Sequence, residues 1–182
     1  MSTFNVPKRE EVTRNNQDIF DNLEKAVGFV PNLFATYAHS ENALANYLNL
    51  SNAKTSLKTK EKEVVNLAVS EVNNCVYCLS AHTAISKMNG FTDEQILELR
   101  AGHASFDVKL DALAKLAKNI TENRGATDTA VLENFFEAGW TKENLIDTIV
   151  LVGDKTISNY INNTTEVPVD FPVAQPLETV IA

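Results

Sequence analysis

Apolar residues recur at helical spacing along nearly the whole chain. Within residues 60–72, for example, Val65, Ala68, Val69 and Val72 stand at i, i+3, i+4 and i+7, which places them on one face of a helix. Glycine, proline and small polar residues separate segments of this kind, and such residues typically end one helix or begin the next. No stretch shows the sustained alternation of apolar and polar residues that is typical of a β-strand. The pattern therefore predicts an all-α bundle of about seven helices.

The last and longest predicted helix runs from about Thr141 to Asn162. Its apolar residues are expected to face the interior, and they are Leu145, Ile149, Val150, Ile157, Tyr160 and Ile161. Residues 167–182 follow as an extended tail, because three of the five prolines lie there. The tail is apolar enough to lie on a surface, either of this subunit or of a neighbour. We interpret residues 1–182 as a single domain with a core motif at 60–90 and this tail.

Composition and charge exclude several classes of partner. The 182 residues are 44% hydrophobic and 22% charged, as in an ordinary globular protein, and the formal net charge is −8. An acidic chain without a basic stripe argues against binding to nucleic acid. No apolar run approaches the roughly 20 residues that span a bilayer, so no membrane association is expected. The N-terminal segment MSTFNVPKREEV lacks the apolar core of a secretory signal, and we expect a cytoplasmic protein.

The most informative motif is Cys75-Val76-Tyr77-Cys78 followed by His82, and it contains both cysteines of the chain. Two thiols at this spacing can close a disulfide and reopen it. An imidazole one helical turn later can take the proton that makes a thiol a thiolate, which is the reactive form. In a reducing cytosol such a pair is more often catalytic or metal-binding than structural. The motif therefore predicts redox chemistry at one place in the fold.

The helical register assigns a role to each thiol. With Asn73 or Asn74 as the N-cap of the helix, Cys75 falls in the first turn, where unpaired amides favour an anion. Cys78 at i+3 and His82 a turn later share its face. Because His82 is closer to Cys78, we assign Cys78 as the nucleophile. Cys75 is then the resolving thiol that attacks the sulfenic acid formed on Cys78.

Zinc binding is the competing chemical interpretation. The cysteines and His82 provide three ligands, whereas a structural zinc site needs four. His39 or His103 could supply the fourth, but neither stands at a motif spacing, and one helix face spreads ligands along a line. We expect no metal and no cofactor other than the redox-active disulfide.

Three further residues near the motif have open interpretations. Glu63 and Glu71 lie on the preceding amphipathic helix, and solvated surface charges are the simplest explanation for both. Tyr77, between the cysteines, either belongs to the core or shapes a pocket.

The stretch from Glu63 to His82 resembles the core of the alkylhydroperoxidase D-like (AhpD-like) proteins, which belong to the carboxymuconolactone decarboxylase family. That family has a glutamate twelve residues before the first cysteine of Cys-x-x-Cys-x-x-x-His, and Glu63, Cys75, Cys78 and His82 match it. The segment Gly28-Phe-Val-Pro-Asn-Leu-Phe34 also resembles the N-terminal part of the peroxidase-related branch. The helical pattern extends the similarity over most of the chain.

The resemblance implies an AhpD-like helical bundle and a thiol-dependent peroxidase. Glu63 and His82 would form a proton relay through water that activates Cys78 against an organic hydroperoxide or peroxide. Cys75 would then close the disulfide, and an external dithiol protein or small thiol would reduce it. The resemblance also leaves Glu71 a supporting role outside the relay. In the best-studied branch a histidine precedes the second cysteine, and this chain has Tyr77 there, which leaves less acid–base assistance.

Two other classes of function remain open at this point. A non-redox lyase of the carboxymuconolactone decarboxylase type has no need of the cysteine pair, so the presence of both cysteines counts against it. A non-enzymatic helical scaffold or metal-binding module is the third class. The family resemblance and the apolar tail both predict a homo-oligomer, with residues 167–182 packed across a subunit contact.

Overall fold

The computed structural model of the protein describes residues 4–177, and the regular structure within that range is helical. A 3₁₀ turn at Arg9–Glu11 precedes the α-helices. The helices are α1 (Arg14–Val27), α2 (Asn32–Tyr37), α3 (Ala43–Ser51), α4 (Thr59–Val72), α5 (Val76–Met88), α6 (Asp93–Ala101), α7 (Val108–Glu122), α8 (Thr129–Glu137) and α9 (Lys142–Thr165). The all-α prediction is confirmed. The nine helices of the described range exceed the predicted seven because short segments such as α2, with 6 residues, form helices of their own.

Helix α4 is the centre of the bundle. It packs against α5, α6, α7 and α9, and every residue from Glu63 to Ser70 is buried. A helix that is buried on all sides belongs in a core. Its valines and leucine form one hydrophobic cluster with α7 and with the stacked rings of Phe135 and Trp140. The polar members of that buried run, Glu63 and Asn66 among them, therefore need partners inside the protein.

A second hydrophobic cluster joins the N-terminal helices to the start of α5. Its buried members are Val12, Phe20, Leu33, Ala35, Tyr37, Ala38, Leu44, Tyr47, Cys75, Tyr77, Cys78 and Val167. Both cysteines therefore lie in an apolar and aromatic environment that helices far from them in sequence help to build.

The described part of the tail, residues 167–177, packs on its own subunit. Val167 is buried, the amide of Asn32 donates to Asp170 Oδ2 at 2.6 Å, and the ring of Phe171 contacts Tyr77. Farther along, Arg100 Nη2 donates to the carbonyl of Gln175 at 2.9 Å. Of the two surfaces that the sequence left open for the tail, residues 167–177 thus lie on that of their own subunit. The remainder of the predicted tail, residues 178–182, lies outside the described residues.

Helix α9 is rotated away from the orientation that its apolar pattern predicts. Ile149, Val150, Ile157 and Tyr160 are 46%, 48%, 43% and 60% exposed, so the prediction that they face inward is wrong. Leu145 and Ile161 are partly buried against the two clusters. The buried face of α9 is mostly polar and comprises Thr148, Val152, Asp154, Lys155, Ser158, Asn159, Asn162 and Thr165. Two of these side chains pair with the central helices, Lys155 with His82 of α5 and Asn159 with Ser70 of α4.

No helix in the described range is long and apolar enough to cross a membrane.

Candidate active site

A tight turn between α4 and α5 positions the cysteines. Asn73 caps the C-terminus of α4, and Asn74 has a positive φ of 52°, a conformation that asparagine tolerates better than most residues. Cys75 is itself the N-cap of α5, and its Sγ accepts a hydrogen bond from the amide of Cys78 at 3.3 Å. The prediction that Asn73 or Asn74 caps α5 is therefore wrong by one or two residues. The sulfur of Cys75 takes the place of the usual capping oxygen.

Cys75 and Cys78 form a disulfide, with their Cα atoms 5.3 Å apart. That separation is ordinary for a disulfide. Cys75 is fully buried and Cys78 is 3% exposed, within the second hydrophobic cluster. The two predicted redox residues are thus brought together and are joined.

Glu63 and His82 are in direct contact. His82 Nδ1 lies 2.8 Å from Glu63 Oε2, and both side chains are nearly buried. Asn66 Nδ2 donates to Glu63 Oε1 at 3.1 Å, and Ser86 Oγ donates to Oε2 at 3.4 Å. The interpretation of Glu63 as a solvated surface charge is therefore wrong. The two residues that the resemblance assigned to one proton relay are therefore in direct contact.

The second ring nitrogen of His82 meets a residue that sequence reasoning missed. Lys155 Nζ lies 2.7 Å from His82 Nε2, and Lys155 is 7% exposed. It follows His82 by 73 positions and reaches the site from the polar face of α9. The one signal in the sequence was the charged pair Asp154-Lys155, which stands between the apolar run at residues 149–152 and Ile157. That signal was hidden, because the apolar periodicity assigned the opposite face of α9 to the core.

The electrostatics of the site favour a neutral His82 between two ions. Burial, followed by the nearby Lys155 cation, lowers the pKa of His82 despite the attraction of Glu63. Burial would raise the pKa of Glu63, but His82, Asn66 and Lys155 outweigh it and lower that pKa. Beside them, burial raises the pKa of Asp154, which Lys155 offsets only in part.

Glu71 and Tyr77 serve the architecture around the motif. Glu71 Oε2 accepts from Arg100 Nε at 2.7 Å, and that guanidinium is 4% exposed. Tyr77 is buried, and its hydroxyl accepts from the amide of Leu33 at 3.2 Å. Both residues connect the motif to α2, α6 and the tail, and neither of these hydrogen bonds involves Glu63 or His82.

The other two histidines make contacts of their own. His39 Nε2 lies 2.9 Å from the carbonyl of Asn5, and His103 Nδ1 lies 3.4 Å from Glu98 Oε2. Across residues 4–177, no three side chains of histidine, cysteine, aspartate or glutamate come together as potential metal ligands.

A cavity of about 270 Å³ lies beside the first turn of α5. It is lined by Glu71, Asn74, Val76, Leu79, Arg100 and residues 174–177 of the tail. Val76, which separates Cys75 from Tyr77, is 46% exposed there. The cavity thus opens next to the helix end that carries the disulfide.

Comparison with known proteins shows which family has a motif of this kind. The model of the carboxymuconolactone decarboxylase family matches residues 38–122, which include Glu63, both cysteines and His82. No curated protein sequence matches the chain significantly.

Solved structures match over almost the full length. The alkylhydroperoxidase AhpD core of a peroxidase-related protein from Ralstonia eutropha JMP134 superposes with a TM-score of 0.83 at 22% identity, covering 93% of this chain and 92% of that one. A peroxidase-related protein from Silicibacter sp. TM1040 gives a TM-score of 0.80 at 21% identity, covering 92% and 91%. A variant of the debrominase Bmp8, in complex with 2,3,4-tribromopyrrole, gives 0.76 at 14% identity, covering 100% and 98%. At these identities the likeness is one of fold. With the family match over the motif itself, it confirms the resemblance seen in the sequence: the chain has an AhpD-like fold, and its residues 38–122, which contain the motif, match the carboxymuconolactone decarboxylase family.

Proposed function

We propose that this protein is a thiol-dependent peroxidase that reduces organic hydroperoxides or hydrogen peroxide. The observation that carries the proposal is the Cys75–Cys78 disulfide at the start of α5, one turn before a histidine that is hydrogen-bonded to a buried glutamate. A dithiol that closes in this way gives up two electrons, which is what cleavage of an O–O bond requires. The family likeness to peroxidase-related proteins supports the same chemistry.

In the proposed first step, Cys78 loses its proton to the relay of His82 and Glu63. The thiolate attacks one oxygen of the hydroperoxide, so that an S–O bond forms and the O–O bond breaks. The alkoxide leaves, takes a proton from Cys75 or the relay, and becomes an alcohol. Cys78 is oxidised to a sulfenic acid and the peroxide is reduced.

In the second step, Cys75 attacks the sulfur of that sulfenic acid. The S–S bond forms, the S–O bond breaks, and hydroxide leaves with a proton as water. The sum of both steps converts one hydroperoxide and two thiols into one alcohol, one water and one disulfide. An external dithiol then reduces the disulfide by exchange and returns two thiols to the enzyme.

The surroundings of the disulfide favour an organic peroxide over a highly charged substrate. Tyr37, Tyr47 and Tyr77 belong to the same buried cluster as the cysteines. An apolar environment disfavours a bare thiolate, so a neighbouring base is needed to take the proton. With Tyr77 in place of a second histidine, His82 is the imidazole in position to provide it.

Mass spectrometry and thiol titration on the reduced protein test the proposal. One equivalent of an organic hydroperoxide should lower the intact mass by about 2 Da, the two hydrogens lost on closing a disulfide, and remove both titratable thiols. One equivalent of the alcohol should appear, and dithiothreitol should reverse the change in mass. A protein that keeps two free thiols after prolonged exposure would contradict the proposal. The double variant Cys75→Ser/Cys78→Ser is the control for oxidation elsewhere.

The likeness in fold to a debrominase calls for a second oxidant in the same experiment. Reductive cleavage of a carbon–bromine bond also consumes two electrons and would close the same disulfide. Adding 2,3,4-tribromopyrrole to the reduced protein should therefore leave both thiols free if hydroperoxides are the substrates. Thiol loss with the bromopyrrole alone would replace the peroxidase proposal.

A further inference from the structure

The structure assigns Lys155 to the site: we infer that it is a positioning residue of His82, which fixes the tautomer of the ring and keeps it uncharged. The catalytic part of this inference rests on the proposed peroxidase function, whereas the part that concerns the ring does not. Lys155 Nζ, His82 and the Glu63 carboxylate form one line of contacts, at 2.7 Å and 2.8 Å, across helices α9, α5 and α4.

The direction of these hydrogen bonds follows from the donors available. A lysine ammonium has three donors and no acceptor, so His82 Nε2 must present its lone pair to Lys155. A neutral imidazole has one N–H, which is then on Nδ1 and donates to the Glu63 carboxylate. Lys155 therefore selects the Nδ1–H tautomer. The hydrogen bond made by one ring nitrogen sets the state of the other.

The buried charges explain why a cation is needed at this place. A carboxylate beside a buried histidine, with no other partner, favours the imidazolium, because the two then form an ion pair. Lys155 supplies the positive charge that balances Glu63, so the ring need not carry it. A neutral ring keeps the lone pair of Nε2, and this nitrogen can accept the proton of a thiol once the Lys155 ammonium moves off it. We expect the loss of this cation to leave His82 protonated near neutral pH, when it can no longer act as a base.

Other groups close to Lys155 do not supply a positive charge to the ring of His82. Asp154 lies next to it on α9, is 4% exposed, and lines a cavity of about 50 Å³ together with Lys62 of α4. The hydroxyl of Tyr47 on α3 donates a hydrogen bond to Ser158 Oγ, and it also interacts with Asp154. Asp154 adds negative charge, which also favours a protonated His82. Lys155 is thus the cation in direct contact with the ring.

Nuclear magnetic resonance of the ring nitrogens tests the inference without any activity measurement. The oxidised wild-type protein should show a protonated Nδ1 and a bare Nε2 on His82, with a titration midpoint below the ordinary 6.5 of histidine. Lys155→Met should raise that midpoint, whereas Lys155→Arg should keep it low because the cation remains. His39 and His103 serve as internal references. An unchanged His82 titration in folded Lys155→Met would overturn the inference, even in a protein that proves to be a peroxidase.

The rate of oxidation of the reduced enzyme provides the catalytic readout. In Lys155→Met the acid limb of the pH–rate profile should move to higher pH, with a loss on the order of 10-fold at about pH 6 and recovery in alkali. Lys155→Arg should stay within a few-fold of the wild type. Lys142→Met, which removes an exposed lysine from the same helix, is the matched control. A rate that falls equally at every pH would point to mere structural damage and would contradict the inference.

If Lys155→Met fails to fold, Lys155→Gln separates the two contributions of the ammonium. Glutamine can still donate to Nε2 but carries no charge, so the tautomer should persist while the titration midpoint of His82 rises. Persistence of both wild-type properties in Lys155→Gln would overturn the role of the charge.

Discussion

At the residue scale, the two sulfurs of the disulfide have different surroundings. Cys75 Sγ is the N-cap of α5 and accepts a hydrogen bond from the amide of Cys78, an arrangement that stabilises negative charge on Cys75. A stabilised thiolate is a good leaving group when a reductant attacks the other sulfur. Cys78 lies one turn before His82, where a base can take its proton. Both effects fit Cys78 as the sulfur that is attacked and oxidised, with Cys75 as its resolving partner.

Serine variants distinguish the two thiols. Cys78→Ser should abolish turnover of peroxide, because the thiolate that attacks the O–O bond is lost. Cys75→Ser should react once and stop as a sulfenic acid on Cys78, which dimedone traps and mass spectrometry locates. A dimedone adduct on Cys75 in the Cys78→Ser protein would reverse the assignment.

The contact between Glu63 and His82 predicts that each is needed for the thiol to react. His82→Ala and Glu63→Gln should each slow the oxidation of the reduced protein on the order of 10²-fold, the low end for general acid–base catalysis. Glu63→Gln preserves the shape of the side chain, so circular dichroism should show an intact fold. Stopped-flow measurement of thiol loss checks the rates. Unchanged rates in Glu63→Gln would mean that its buried carboxylate has a purely structural role.

The site residues that could be predicted from the sequence are those that lie close together along the chain. Cys75, Cys78 and His82 share one helix, so their spacing alone predicts their common face. Glu63 is on another helix, and the family resemblance, not periodicity, connected it to His82. The contact of Lys155 with His82 could not be predicted from the sequence, because it depends on how α9 is rotated in the bundle. Side chains far apart in sequence come together through packing, which a local pattern does not contain.

At the scale of the helix, α9 shows why the apolar pattern failed there. The pattern has a clear apolar face, and burial of such a face is the usual outcome in a bundle. In this protein the polar face is buried instead, and two of its side chains pair with the neighbouring helices. Asn159 Nδ2 donates to Ser70 Oγ at 3.2 Å, and Lys155 contacts His82. These two polar contacts, rather than the apolar pattern, agree with the observed orientation of the helix.

The ion pair of Glu71 with Arg100 illustrates a supporting contact between helices. It joins α4 to α6, and Arg100 also donates to the tail at Gln175. Glu71→Gln should lower the free energy of unfolding by about 3 kcal/mol, because a buried guanidinium loses its counter-ion. Urea denaturation measures this loss. The rate of thiol oxidation in the folded variant should match the wild type, since the carboxylate is outside the relay.

The control for that measurement is Glu133→Gln, which changes an exposed glutamate of α8 and should leave stability within about 0.5 kcal/mol. A Glu71→Gln variant that is fully stable but slow to oxidise would contradict the structural role of this pair. It would instead give Glu71 a part in the chemistry.

At the scale of the whole molecule, the site is assembled from segments spread across the chain. Helices α4 and α5 carry the motif, α9 supplies Lys155, and α1 to α3 with the tail cover the cysteines. The helical class and the positions of α4, α5 and α9 followed from periodicity and capping residues. The course of the tail did not, because its contacts with Asn32 and Arg100 depend on polar side chains rather than on an apolar repeat.

The outward apolar face of α9 predicts a homo-oligomer. Its exposed apolar residues are Ile146, Ile149, Val150, Ile157 and Tyr160, and they lie on one side of the helix with Gly153 between them. No charged side chain is exposed on α9 between Ile149 and Tyr160. An added Cβ at Gly153 would meet nothing within 4 Å, so a neighbouring backbone can approach closely there. A continuous apolar surface of this kind usually marks an interface, and symmetric pairing with a second copy is the commonest way to bury it.

Light scattering after size exclusion at micromolar concentration measures the assembly. The wild type should have a mass above that of the 20.1 kDa monomer, and Ile149→Glu/Ile157→Glu should return it to 20.1 kDa, because charges would be buried on both sides of the contact. Met88→Glu, which changes an apolar residue that is 86% exposed on α5, is the matched control and should assemble like the wild type. Truncation after Glu166 tests whether the tail takes part in the contact. A wild-type protein that is monomeric under these conditions would show that α9 presents its apolar face to water, and the predicted oligomer would then be wrong.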